Sequence, residues 1–193
     1  MKEYNDVILY KITRPIITFL VKILFRPKII GINNIPSMGK VILAGNHTSI
    51  FDSVLLISST KRNIHFLAKS ELFRGIKKML FSNFGLIPVD RKIKDKSVLI
   101  NAKKYLENEC VIGIFPEGTT EKGKNKLLPF KIGAVKLSYD TNTLIVPFKI
   151  SGKYRLFSNN LKIVFDSPFI ANDDLVKSNI RLYNIIDNMK ESE

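Results

Sequence analysis

One cysteine, two histidines and no tryptophan occur in 193 residues. A lone Cys110 excludes a disulfide framework, and with only two histidines beside it a structural zinc site has too few ligands. No run of about 20 apolar residues is free of charge, so no segment reads as a membrane span. There is no lysine-only block, no low-complexity linker and no repeat. The missing tryptophan, and phenylalanines held inside apolar runs, leave no exposed alternation of aromatic and basic residues. A nucleic-acid reading then rests on charge alone.

What is present is a hydrophobic content of 45% and a strong basic excess, 31 Lys+Arg against 17 Asp+Glu, or +14. That hydrophobic content excludes a disordered chain and supports one domain with a real core. The excess sits in residues 1–165 (28 basic, 11 acidic), whereas 166–193 hold 3 and 6. A basic body favours anionic partners: a membrane surface, an acidic protein or phosphorylated substrates.

Residues 1–26 read as an interfacial helical segment, separate from a domain over 27–193. Lys11, Arg14, Thr18, Lys22 and Arg26 step at spacings of three and four, while Ile8, Ile12, Ile16, Ile17, Phe19, Leu20, Ile23, Leu24 and Phe25 cover the rest of the helix. A wide apolar face beside a narrow cationic stripe suits a helix lying in the membrane interface, on the cytoplasmic leaflet. The alternative is a helix packed on its own domain. Pro15 is expected to divide the segment into two shorter helices.

Beyond Pro27, short apolar runs alternate with helical stretches. Strands are expected at 28–32, 41–45, 64–68, 86–89, 110–115, 144–150 and 161–165. Helices are expected at 51–59, 75–83, 95–108, 131–140 and 173–190. This pattern predicts a single α/β domain, a mostly parallel sheet covered by helices, with ligands at the carboxyl ends of its strands.

Three such ends carry chemistry. In VILAGNHTSIFD, His47 follows a buried strand and Asp52 comes five residues later. On a helix these positions point about 140° apart, so they meet only if the chain turns between them. A carboxylate on one imidazole nitrogen makes the other a general base for a hydroxyl. The plainer alternative is a residue that caps the helix. In FGLIPVDR, Arg91 ends an apolar run and offers a planar fork to a phosphate, unless it pairs with Asp90 or Glu121. Lys69, after IHFLA, is a candidate of the same kind. In GIFPEGTTEKGKNKLLPF, Pro116 stops a strand, Gly118 permits a tight turn or a close ligand, and Glu117 stands at the sheet edge. Lys122, Lys124, Lys126 and Lys131 then form either an anion-receiving rim or a solvated loop.

Taken together, NHTSIFD, FGLIPVDR, FPEGTT and IVPFKI resemble, in order, the four sequence blocks of the glycerophospholipid acyltransferases. The resemblance covers about residues 28–152 and is nearest to the bacterial 1-acyl-sn-glycerol-3-phosphate acyltransferase branch. Thr120 departs from it, since many members carry Arg or Ser there. The resemblance implies acyl transfer from an acyl carrier protein or coenzyme A thioester to the hydroxyl of lysophosphatidic acid, giving phosphatidic acid with no covalent enzyme intermediate. His47 and Asp52 would be catalytic. Arg91 and Lys69 would hold the phosphate, Glu117, Gly118 and Thr119 would line the acceptor site, and Pro147 would shape the donor side. Neither metal nor cofactor is implied. Rival readings are the same fold with glycerol 3-phosphate or a lyso-aminolipid as acceptor, and a peripheral protein that binds anionic lipid without turnover.

Overall fold

The computed structural model describes residues 4, 7–70, 84–89, 96–120 and 127–189. The expected helix at 75–83 and Arg91 lie outside them.

Seven strands form one sheet: β1 (Lys28–Ile30), β2 (Val41–Gly45), β3 (Ile64–Lys69), β4 (Ile87–Val89), β5 (Val111–Ile114), β6 (Leu144–Ser151) and β7 (Lys162–Phe165). Their spatial order is β1-β7-β6-β2-β5-β3-β4. Every pairing is parallel except β6 with β7. Among the described residues five α-helices accompany them: α1 (Ile8–Leu24), α2 (Asp52–Ser59), α3 (Lys96–Glu107), α4 (Gly133–Thr141) and α5 (Leu175–Asn188). All seven expected strands are present, as are the four expected helices that fall on described residues.

The central strands are apolar on both faces, and their period-2 alternation feeds two cores. Ile42, Ala44, Ile112 and Ile114 pack with Leu106, Leu137 and Leu182 from α3, α4 and α5. Val41, Leu43, Val111 and Phe148 pack on the other face with Val21 of α1 and Leu55 and Leu56 of α2. A fully buried Leu or Phe stabilises by about 1.5–3 kcal/mol, so these two layers fix the register of β2 and β5.

Pro147 lies inside β6, between β2 and β7, where a proline is unusual. Its carbonyl accepts from Asp166 N at 2.9 Å, on the β7 side. A residue's N and C=O point to the same side of a strand, so the missing donor falls where β7 has already ended. The ladder to β2 is spared, with Ala44 opposite Pro147.

α1 departs from expectation. It is one helix through Pro15, not two. Pro15 is exposed, and anchors on both sides of it hold the helix to the same domain, which offsets the hydrogen bond a proline forfeits. The Tyr10 hydroxyl accepts from Ile64 N at 3.1 Å. Burial pushes that phenol up to about 12. Arg14 turns inward, giving Nη2 to Thr60 O at 2.7 Å, and so leaves the cationic stripe. Val21 is buried beyond the proline. The opposite face leaves Ile8, Ile12, Ile16, Phe19, Leu20 and Ile23 exposed. Among the described residues no helix is long and apolar enough to cross a membrane.

Candidate active site

β2 and β5 are parallel neighbours with Ala44 opposite Ile114, so their carboxyl ends lie side by side. Asn46 leaves β2 buried and clamps the chain to β6: its Nδ2 donates to Ile150 O at 2.8 Å and its Oδ1 accepts from Ile150 N at 2.7 Å. Gly45 is required just before it, because a Cβ there would overlap the Phe148 ring. The chain then turns through residues 47–51, and Asp52 opens α2.

That turn brings the predicted pair together. His47 Nδ1 lies 2.9 Å from Asp52 Oδ2. Asp52 does cap, but it caps the preceding loop: its Oδ2 also accepts from Thr48 N at 2.5 Å and Ser49 N at 2.8 Å. Its Oδ1 accepts from Thr48 Oγ1 at 3.2 Å and from the Tyr154 hydroxyl at 2.6 Å. Five donors surround a side chain that is fully buried, so its oxygens are hydrogen-bonded in place of water. Since the carboxylate only accepts, Nδ1 carries the ring proton and Nε2 carries the lone pair. The His47 ring is held flat against Phe115, 4.1 Å between centroids, and stays 19% exposed. An imidazole held flat on one face, bonded through Nδ1 to a buried carboxylate and partly exposed, can take a proton from a hydroxyl at Nε2.

Glu117 braces the same turn. Its Oε1 accepts from His47 N at 2.7 Å and its Oε2 from Leu128 N at 3.1 Å. It therefore ties the β5 end to both flanking loops and keeps one lone pair per oxygen for a ligand. Gly118 has φ +73°, and a Cβ there would run into Lys131. Thr119 is exposed beyond it. Lys131 N donates to Pro116 O at 2.9 Å, closing the loop over the strand end.

The pattern of β2 and β5 ends matches a known family. A family model described as Acyltransferase covers residues 26–151. The chain belongs to the Acyltransferase family. Among curated relatives, it is 31% identical over 166 residues to a 1-acyl-sn-glycerol-3-phosphate acyltransferase of Borreliella burgdorferi, covering 84% of this chain and 62% of that protein. It is 32% identical over 127 residues to a Helicobacter pylori protein of the same name, covering 63% and 52%. The chain thus spans between half and two thirds of the length of these relatives. The crystal structure of the 1-acyl-sn-glycerophosphate (LPA) acyltransferase from Thermotoga maritima superposes with a TM-score of 0.75 at 18% identity, covering 95% of this chain and 83% of that one. The mixed α/β fold is therefore shared with that structure.

Within this member of the family, the structure gathers His47, Asp52, Glu117 and Gly118 at one edge of the sheet. Lys69 ends β3, two strands from β2, and Pro147 sits within the sheet opposite Ala44. Arg91, Lys122, Lys124 and Lys126 lie outside the described residues. Sequence reasoning missed Tyr154, which lies 102 residues from its partner Asp52. Burial first, then the charge of Asp52 and the bond to it, hold the Tyr154 hydroxyl far above the ordinary phenol range, so it stays protonated and donates. No local pattern marks it, since it stands in a turn after β6 with only Gly152 nearby as a signal. The second histidine, His65, is a core residue: its Nδ1 meets Gly85 O at 2.8 Å and burial lowers its pKa.

Proposed function

We propose that this acyltransferase moves a fatty acyl group from an acyl carrier protein or coenzyme A thioester to the free hydroxyl of 1-acyl-sn-glycerol 3-phosphate, giving phosphatidic acid. The observation that carries the reading is the 2.9 Å His47–Asp52 pair at the end of β2. His47 Nε2 takes the acceptor hydroxyl proton as the oxygen attacks the thioester carbonyl. The tetrahedral carbon collapses, the C–S bond breaks, and the leaving thiolate regains the proton from His47. Asp52 stabilises the transient imidazolium without being protonated. Positioning of two bound substrates supplies the rest of the acceleration. No protein nucleophile is needed, and Cys110 is buried at the start of β5, where a thiolate is disfavoured.

The names of the relatives support the acceptor. The +14 charge suits either donor, one an acidic protein and the other a phosphorylated cofactor. Arg91 and Lys69 are the proposed phosphate holders, Glu117, Gly118 and Thr119 the acceptor contacts, and Pro147 a residue of the donor side. The exposed apolar face of α1 is the proposed membrane contact, placing the enzyme on the bilayer where its amphiphilic acceptor resides.

The deciding assay is product formation by the purified chain from lysophosphatidic acid, glycerol 3-phosphate or a lyso-aminolipid, with each thioester. Lysophosphatidic acid is the expected substrate. Turnover of another acceptor alone would replace the acceptor and leave the chemistry, whereas no turnover with any acceptor would leave the anionic-lipid binder. Arg91→Ala is expected to raise KM for the phosphorylated acceptor at least tenfold and to leave donor KM unchanged, with Lys restoring it only in part. An unchanged acceptor KM would move the phosphate to Lys69.

Tyr154→Phe removes one hydroxyl from beneath Asp52. That hydroxyl holds Asp52 in the orientation that faces His47 Nδ1. A hydrogen bond to a charged acceptor contributes about 1.5–3 kcal/mol, and part of that lost from positioning lowers kcat by about tenfold with acceptor KM little changed. If Tyr154 merely filled space, the Phe variant would keep the parental kcat.

A further inference from the structure

The loop that delivers Tyr154 to Asp52 reads Lys153-Tyr154-Arg155-Leu156-Phe157. Tyr154 points in, and its neighbours do not. Lys153 and Arg155 are exposed, and Leu156 and Phe157 are 63% and 60% exposed. Phe157 also holds φ +56°, the left-handed region that a bulky side chain avoids. A strained backbone presenting a large apolar side chain to water is unfavourable twice over.

The loop is pinned in place. Phe157 N donates to Leu24 O, at the last turn of α1. Tyr154 packs edge-on against Phe25, 5.5 Å between centroids, and against Phe51 at 5.7 Å. Phe51 and its neighbour Ile50 are themselves exposed, in the turn between His47 and Asp52. The apolar surface therefore continues from α1 across the loop tip to the rim of the His47 turn. Lys22 and Arg26 are exposed at this end of α1, Lys28 is exposed at the start of β1, and the loop that meets Leu24 and Phe25 carries exposed Lys153 and Arg155. Five cations around an apolar tip match an anionic bilayer, where the side chains enter the acyl boundary and the basic heads stay among the lipid phosphates.

We propose that Leu156 and Phe157 form a second membrane contact, inserting into an anionic bilayer next to the end of α1 and holding the His47 turn at the lipid surface. The proposal builds on the reading of α1 as a membrane helix, and the two can fail separately.

The chain has no tryptophan, so a single introduced one reports its own surroundings. Phe157→Trp and, separately, Phe19→Trp in the full chain are titrated with vesicles of phosphatidylglycerol and phosphatidylcholine, with and without brominated acyl chains. The expected result is a blue shift and bromine quenching at both positions. A Phe19→Trp signal with a water-exposed Phe157→Trp would overturn the loop contact and leave α1. Quenching at 157 alone would leave the loop and overturn α1, and no quenching at either would overturn both. A Phe157→Trp response to added acyl carrier protein in the absence of any response to vesicles would replace the bilayer with a protein partner. The double change Leu156→Asp, Phe157→Asp is expected to weaken vesicle affinity at least tenfold. It should leave turnover of a short-chain, water-soluble acceptor within twofold of the parent. Unchanged vesicle affinity would overturn the proposal.

Discussion

His47→Ala is expected to lower turnover by roughly 10²- to 10⁴-fold, about 3–5 kcal/mol of barrier, in a protein that still folds. The ring contributes little to the core: it is partly exposed, stacks on Phe115 and donates once to Asp52. Its removal leaves Asp52 with four donors out of five, so the buried charge stays compensated. The loss therefore falls on chemistry. Thioester-dependent product formation and a thermal melt on the same preparation separate the two effects. A variant that keeps half of the parent kcat would remove His47 from the role of base.

The Asp52→Asn variant is expected to lose about 10- to 10²-fold in kcat, with KM little changed, and also some stability. The amide has one acceptor oxygen, and three donors crowd the Oδ2 position: His47 Nδ1, Thr48 N and Ser49 N. The amide oxygen must sit there, and its NH₂ must face the Tyr154 and Thr48 hydroxyls, which can rotate to accept. The turn survives in that arrangement. What disappears is the negative charge that offsets the imidazolium as the proton moves, together with the added strength of hydrogen bonds to a charged acceptor, about 1–3 kcal/mol in all. Asp52→Ala is expected to be worse for folding, since it strands the Thr48 and Ser49 N–H groups. Stopped assays across acceptor concentration give the kcat and KM split, and an Asn variant with parental kcat would sink the pair mechanism.

The two predictions rest on a geometry that was legible in part. Val41 to Gly45 is an unbroken apolar run ended by Asn46, and its shortness, its Val-Ile start and the flanking Gly45 mark a buried strand where periodicity alone would not. The spacing of His47 and Asp52 required a turn, and the sequence could state that requirement without showing how it is met. It is met by Asn46 reaching 104 residues ahead to Ile150 and by Glu117 reaching back 70 to His47. Glu117 stood out beside Pro116 and Gly118, but its double grip on backbone N–H groups is a property of two strand ends lying together. Tyr154 was invisible for the same reason. Pro15 misled because its local cost was weighed without the tertiary anchors of Tyr10 and Val21. The amphipathic pattern of α1 was legible, although Arg14 proved to belong to the buried side.

The Asn46 clamp has a consequence for how the molecule acquires activity. β2 and β6 touch only after about a hundred residues of chain have closed between them, and Asp52 receives its last donor from beyond β6. Contacts of such long sequence separation form late in folding, after the loop-closure entropy has been met. The hydrogen-bond set around the His47 turn is therefore complete only once β6 has joined β2. Any fragment ending before residue 154 carries the recognisable motif without the machine, and recovery of catalysis during refolding times the closure of the whole sheet.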